Sequence, residues 1–481
     1  MVMPNWLAEM KSVVGDKGFT MSETEMMPWL TDWRGRYAGR AMAMVSPAST
    51  TETARIVSIA NNNAIILVPQ GGNSGMVGGA TPDQSGDAVL ISMRRMNQIR
   101  ETKTDDQLVI CDAGVILQNL HDELARKGQR FPLTLGGKGS ATVGGLVSTN
   151  AGGTQVLRHG TMRALVVGVE AVLPNGSIYD GLAALKKDNR GYDLKQLFVG
   201  GEGTLGIVTA ATLRTVPAIV DRCVVWAAAE SPHKAHELLK FLGKKIGAAL
   251  EGFEIIPKSC LASVLQHIPD TRSPLESEHA WHILIETVRD SVDAADPTEL
   301  IEKYLGQAYE NGLIENAAIA ASEQQAEDFW KIRDSIAEAE RASGPALQHD
   351  ISVPVARMAA FITDAGPKVE ASFPGTIVAA FGHMGDGNVH FHVKAPPGAD
   401  PKNWTEIYSE QITPLVHDLV VAEGGSISAE HGIGQTKRVE LERLSSDARL
   451  FMLRSIKSAI DPNNIMNPGK LVPLASSQSG F

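Results

Sequence analysis

The stretch "LFVGGEGTLGIVTAATLRTVP", residues 197 to 217, decides how the first half of this chain folds. Gly201 to Gly206 spell G-x-G-x-x-G, the pattern with which a dinucleotide-binding turn opens a helix. The residues after Gly206 do not read as a helix. Residues 207–217 alternate in the manner of a β-branched strand, and no acidic residue comes at the distance a βαβ unit requires. The loop is therefore read as lying between strands, where its anion-binding groups are consecutive main-chain N–H donors.

Two further loops have the same texture: "AIILVPQGGNSGMVGGA" (64–80) and "LTLGGKGSATVGGLVSTNAGG" (133–153). Each is read as joining short apolar strands. Glycine at this density is costly in backbone entropy unless a ligand must approach the main chain closely. Three such loops suit a large cofactor with two phosphates. No G-x-x-x-x-G-K-[ST] motif occurs.

The chain has 481 residues, enough for two or three domains, and a formal charge of −11. No Lys/Arg run interleaves with aromatics, which argues against nucleic acid as a partner. Cys111, Cys223 and Cys260 show no C-x-x-C spacing, so neither a disulfide framework, a thiolate zinc site nor an iron–sulfur cluster is expected. A reducing, cytoplasmic setting fits that usage. The first residues form an amphipathic helix pattern without signal-peptide regions, and no apolar run is long enough to span a bilayer.

After Pro217 the texture changes. "CVVWAAAE", the helical 232–250, "EGFEIIP", "HAWHILIETV", a helix pattern at 297–312 and "NAAIAAS" give β-α-β followed by β-α-β, the split order of ferredoxin-like domains. We therefore expect three segments: 1–219 for the glycine loops, 220–425 as a second domain, and 426–481 as a C-terminal segment lying against the first.

Within the second segment, "FGHMGDGNVHFHV" (381–393) crowds three histidines around an Asp-Gly turn signal. With Asp386 and Gly387 as the two central turn residues, His383 faces His390 at ~4.5–5.5 Å between Cβ atoms, which is chelating distance. Alternation puts Asn388, His390 and His392 on one face. Two imidazoles do not fix a metal, and a histidine pair hydrogen-bonded on a sheet surface is the alternative. In "SAEHGIGQTKR" (428–438), Glu430 is the best third ligand. The set is then His₂Glu with an open position, and His431 is a base for a metal-held hydroxyl. A capped turn with a surface Glu-His is the rival reading of that dipeptide.

Seven segments then combine: "VPQGGNSGMVGG", "LGGKGSATVGGLVSTNAGG", "RHGTMRALVVGVEAVLPNG", "KDNRGYDLKQLFVGGEGTLGIVT", "GHMGDGNVHFHV", "SAEHGIGQTKR" and "DPNNIMNPGK". Their order and content resemble the vanillyl-alcohol-oxidase/PCMH-type flavoproteins from about residue 30 to 472, and within them the D-2-hydroxyglutarate and D-lactate dehydrogenases. The resemblance implies an α+β chain: a PCMH-type FAD-binding domain, a ferredoxin-like substrate (cap) domain and a C-terminal helical segment.

The same resemblance assigns residues. Pro69, Gly71, Gly72, Asn73, Ser74 and Gly75, with Gly139, Ser140, Thr142, Gly144 and Gly145, would cradle the FAD pyrophosphate and hold the flavin. Asn150, Gly153 and Gly160 would continue along the cofactor, and Glu202, Gly203, Thr204, Gly206 and Ile207 would line its adenine and ribose end. Asn467 would return to the flavin. His383, His390 and Glu430 match the metal ligands, zinc first among divalent ions, and His431 the base. Asn388 matches a substrate position and Arg333 a substrate-carboxylate arginine. Ala337 and Gln348 fall where the hydroxyglutarate enzymes carry a threonine and a lysine around the distal carboxylate, so Gln348 enters the substrate site as a neutral amide.

The activity implied is FAD- and metal-dependent oxidation of a D-2-hydroxy acid, D-2-hydroxyglutarate or D-malate favoured, to the 2-oxo acid. D-lactate or glycolate oxidation by the same family, a metal-dependent hydrolase without flavin, and a non-catalytic flavin-binding module are the alternatives. An electron-transfer flavoprotein or a quinone would reoxidise the flavin, and a homodimer is compatible with the sequence.

Overall fold

The computed structural model describes residues 3–474, which divide into two compact units. The first comprises the chain up to Gly153, Gly160–Pro217 and the chain from Glu430 onward. The second comprises Thr154–His159 and Ala218–Ala429.

The first unit opens with helix α1 (Asn5–Val14), whose Leu7, Met10 and Val14 recur on one face and are buried. Its first sheet takes β1 (Phe19–Thr20), β2 (Ala43–Val45), β3 (Ile66–Gln70) and β4 (Ala88–Ser92) in the order β1-β2-β4-β3, with β4 parallel to β2 and β3. Helix α2 (Thr50–Asn62), capped by Ser49, supplies the crossover that parallel pairing demands. The second sheet is antiparallel. It takes β5 (Ile99–Lys103), β6 (Leu108–Asp112), β7 (Val166–Val172), β8 (Ile178–Gly181) and β9 (Ile207–Arg214) in the order β5-β6-β9-β7-β8.

Strand β9 is the continuation of the opening motif. Seven of its eight residues are buried, which a helix-opening dinucleotide turn would not give. The loop at 133–153 departs from expectation: it runs into a short helix, α3 (Val143–Thr149), before Asn150 ends it in the left-handed region at φ 52°. The pair Gly144-Gly145 lets that helix sit tight, since a Cβ on Gly144 would lie 2.7 Å from Ala113 Cβ.

The second unit is built on one seven-stranded antiparallel sheet. Its first four strands are β10 (Asp221–Ala229), β11 (Leu250–Pro257), β12 (Trp281–Arg289) and β13 (Asn316–Ile319), ordered β13-β10-β12-β11. This is the ferredoxin-like arrangement, with α4 (Pro232–Ile246) and α6 (Pro297–Glu310) as its crossovers and α5 (Lys258–His267) inserted after β11. Past α7 (Glu323–Asp334) and α8 (Ile336–Ala342), three more strands extend the β11 edge: β14 (Ala346–Ser352), β15 (Ile377–His383) and β16 (Asn388–Lys394), in the order β15-β16-β14. Helices α5, α7 and α8 share an apolar core with one face of this sheet through Trp226, Leu284, Phe329, Trp330 and Phe381. Among the described residues no helix is long and apolar enough to cross a membrane.

The hairpin register corrects the sequence reading. Its turn has four residues, Met384 to Gly387, so His383 faces Asn388 and His390 faces Phe381. The Asp-Gly signal is local, whereas Met384 answers to the core. Its side chain is fully buried, and its N–H donates to Phe253 O at 3.0 Å on the neighbouring strand. Gly387, at φ 84°, then closes the turn where a Cβ would lie 2.1 Å from Val353 O.

Candidate active site

In the first unit the glycine loops lie against one another. A Cβ on Gly72 would sit 1.7 Å from Ser140 O, and one on Gly71 would sit 2.1 Å from Thr142 Oγ1. The 69–75 and 139–145 segments therefore touch main chain to main chain. Gly75 and Gly139, by contrast, have nothing within 4 Å of where a Cβ would stand, so their backbone faces open space. Asn73, Asn150, Glu202 and Asn467 hold φ between 44° and 53°. Left-handed non-glycine residues cost of order 1–3 kcal/mol each and gather at functional sites. Asn150 is secured in this state by Arg163 N and Thr161 Oγ1, which both donate to its Oδ1.

Glu202 has a different task from lining a nucleotide pocket with a bare carboxylate. Its oxygens accept from Ile433 N at 2.7 Å and Gly434 N at 2.8 Å, tying the "EHGIG" turn to the third loop. Burial pushes its carboxyl up despite those donors. Asn467 Nδ2 donates to Gly79 O and Glu202 O, and Lys457 links Thr204 O, Met466 O and Asp461. The C-terminal turn is thereby fixed to the loops of its own unit. Gly153, Gly203 and Gly206 stand where a Cβ would meet Thr134 O, Pro69 Cγ and Val172 O at 2.2, 2.4 and 2.7 Å. Gly160 turns the chain at φ 75° ahead of the short helix Met162–Leu165 that leads into β7, while Ile207, buried, begins β9. Thr142 Oγ1 and Asn467 Oδ1 are buried without a hydrogen-bond partner among the described residues. Orphaned polar atoms beside open backbone fit a bound polar cofactor, since such atoms are otherwise paired. Ser74 lies in the same loop, partly buried.

In the second unit the hairpin and α7 make a polar cluster. Arg333, at the end of α7, donates from Nε to Glu254 Oε2 at 2.7 Å, lies 3.3 Å from His383 Nε2 through Nη2, and rests over the Phe381 ring. His383 Nδ1 meets the other oxygen of Glu254 at 2.5 Å. One buried carboxylate thus braces both an arginine and a histidine. Burial alone would push the Glu254 carboxyl up; Arg333 and His383 outweigh it and hold it well below the usual carboxylate range.

His390 lies diagonally from His383, with ring centroids 5.4 Å apart, so the corrected register still keeps the two imidazoles together. Burial, with the charge of Arg333 added, pushes His390 well below its ordinary value. A neutral imidazole is the state a metal requires. Asn388 donates from Nδ2 to Asp350 Oδ1 and Ile351 O, both at 2.9 Å, while its Oδ1 is buried and without a partner among the described residues. Because Nδ2 faces two acceptors, that amide orientation is fixed. Gln348 stands opposite His392 across β14 and β16.

Glu254 and Asp350 were not among the residues the sequence singled out. The only trace is a carboxylate inside an apolar strand, in "EGFEIIP" and "QHDIS". Glu430 and His431 belong to the first unit, half-buried, in the turn shaped by Gly432 and Gly434. His383, His390, Arg333, Asn388 and Gln348 all belong to the second.

Residues 221–471 match the family of FAD linked oxidases, C-terminal domain, and residues 41–181 match the FAD binding domain. A probable D-2-hydroxyglutarate dehydrogenase, mitochondrial, from Oryza sativa subsp. indica is 35% identical over 96% of this chain and 81% of its own. A D-2-hydroxyglutarate–pyruvate transhydrogenase of Saccharomyces cerevisiae is 31% identical over 97% and 94%. The solved p-cresol methylhydroxylase with substrate bound superposes at a TM-score of 0.72 over 97% of this chain and 96% of its own. At 15% identity that likeness speaks for the PCMH-type fold alone. The cytoplasmic location expected from cysteine usage is corrected here: the rice relative, like relatives from Arabidopsis thaliana and Bos taurus, is named as mitochondrial.

Proposed function

Given that the chain belongs to the FAD-linked oxidase family, we propose that it is an FAD-dependent dehydrogenase that oxidises a D-2-hydroxy acid to the 2-oxo acid, with a dicarboxylic substrate favoured. The observation that carries this reading is the Glu254-braced Arg333 beside the His383–His390 pair. A guanidinium held in one pose recognises a carboxylate by geometry as well as charge. Asn388 Oδ1 adds a buried acceptor suited to a hydroxyl donor.

The FAD would lie along Pro69–Gly75, Gly139–Gly145 and the Glu202–Ile207 loop, and when bound it supplies the hydride acceptor that protein groups lack. His383, His390 and Glu430 would hold a divalent metal, zinc favoured by the N₂O set, which when bound polarises the substrate hydroxyl. His431 takes the hydroxyl proton as the C2 hydrogen leaves as hydride. Arg333 orients the far end of the substrate, and Asn388 the near end. Electron-transfer flavoprotein or quinone is proposed to reoxidise the flavin; the name of the yeast relative adds a 2-oxo acid, pyruvate. A flavin-free hydrolase is disfavoured by the two FAD-family matches.

The test is an anaerobic screen of D-2-hydroxyglutarate, D-malate, D-lactate and their L-enantiomers against the purified flavoprotein. The D-acids are expected to bleach the flavin band, the dicarboxylates fastest. A flavin that no D-2-hydroxy acid bleaches would sink the reading.

A further inference from the structure

Strand β16 points Asn388, His390, His392 and Lys394 to one face of the sheet. Asn388 and His390 belong to the site above, and His392 packs its ring against Phe381; Lys394 has no role in the site so far. Its ammonium lies 3.4 Å from Glu340 Oε1 on α8. Glu340 is only 1% exposed, and its Oε2 is buried without a hydrogen-bond partner among the described residues. A carboxylate buried so deeply needs a cation beside it. That need fixes the ammonium in place.

Arg333 is braced in the same way, by the buried Glu254. The two cations also share a framework. Arg333 closes α7 and Glu340 lies on the next helix, α8, while both cations meet the β15–β16 side of the sheet. The strand neighbours of Lys394 are Ala346 and Ile377, neither of which is polar. Its side chain keeps about a fifth of its surface exposed, and an ammonium has three donors. Gln348 pairs with His392 and is therefore the diagonal neighbour of Lys394. The neutral amide at 348 thus has a cation-bearing residue as its diagonal neighbour.

We propose that Lys394 is a specificity-determining residue: its ammonium, positioned by Glu340, binds the distal carboxylate of a dicarboxylic D-2-hydroxy acid jointly with Arg333. The assignment rests on reading this site as one for D-2-hydroxy acids. No bond is made or broken at Lys394, so its contribution belongs to substrate binding and not to the chemical step.

The experiment measures kcat and KM for D-2-hydroxyglutarate, D-malate and D-lactate in wild type, Lys394→Met and Lys394→Arg, with flavin content and Tm for each. Lys394→Met should raise KM for both dicarboxylates roughly ten- to hundredfold, the worth of one charge-assisted hydrogen bond. Their kcat, and both constants for D-lactate, should stay within about threefold of wild type, as expected where only a distal contact is lost. Lys394→Arg should recover most of the dicarboxylate KM. Because Lys394→Met takes the ion-pair partner from the buried Glu340, the double variant E340Q/K394M is measured alongside and should give the same pattern. An unchanged dicarboxylate KM, or an equal loss on D-lactate, in a folded and flavin-loaded variant overturns the assignment and leaves the functional reading standing. A wild type reduced by no D-2-hydroxy acid removes both.

Discussion

In the unit that carries the glycine loops, the groups offered to a ligand are main chain and a few amides; in the other unit they are charged side chains braced from behind by buried carboxylates. Gly72 cannot accept a methyl group, whereas Arg333 and Lys394 each hang on one carboxylate, Glu254 and Glu340. A site made of backbone is fixed by which residues are absent. A site made of side chains is tuned by which are present. The contrast implies that cofactor binding and substrate choice fail separately.

The largest effect should follow from the backbone side. Gly72→Ala places a carbon inside Ser140 O, so the loops must part, and the purified protein is expected to lack the flavin absorbance band and all activity. A yellow, active variant would show that the flavin does not depend on the close approach of these two loops. Next, treating the protein with a chelator should abolish turnover while FAD stays bound, because two of the three proposed metal ligands, His383 and His390, belong to the second unit and the glycine loops to the first. Full activity in protein proved metal-free by elemental analysis would contradict this.

His431→Asn should slow anaerobic flavin reduction roughly 10²–10⁴-fold, the usual worth of a positioned base, with flavin content unchanged. His392→Asn, whose ring packs against Phe381, should cost far less. Equal losses would remove the role given to His431.

Glu254 supplies the smallest and most physical test. Its folded carboxyl is held far below the unfolded value by Arg333 and His383. The stability it contributes is therefore full above the unfolded carboxyl range, near pH ~4.3, and is lost as pH falls from there toward the folded value. Glu254→Gln should lower Tm at pH 7 and flatten the acid side of the Tm–pH curve. An unchanged acid slope would mean that the brace carries no linkage.

The two units also differed in how much the sequence disclosed. Gly201–Gly206 running into a β-branched strand was enough to reject a dinucleotide turn, and β9 lies where that reading put it. The split βαβ order of the second unit was equally open, because each crossover carries its own helical period. The hairpin turn was not. Asp386-Gly387 is a strong local signal, but Met384 is claimed by the core and by Phe253, and tertiary demand won. Helix α3 was hidden because Gly144 and Gly145 are poor helix formers that packing alone admits. Glu254 and Asp350 left only the trace of a carboxylate inside an apolar strand: what makes them matter is which residue faces them across a strand, His383 and His390, and no local pattern encodes that. Cysteine usage says how reducing a compartment is, not which one it is, which is why the cytoplasmic expectation failed against mitochondrial relatives.

If side chains of the second unit choose the substrate while the glycine loops hold the flavin, Arg333→Gln should alter the first and spare the second. The measurement is anaerobic stopped-flow reduction of the bound flavin by D-2-hydroxyglutarate and by D-lactate, in wild type and variant at equal flavin loading. The preference for the dicarboxylate should fall roughly ten- to hundredfold, the worth of the contacts Arg333 makes, leaving the share held by Lys394, while D-lactate reduces the variant at nearly the wild-type rate. A dicarboxylate preference undiminished by the substitution, or a variant that cannot retain FAD, would contradict it.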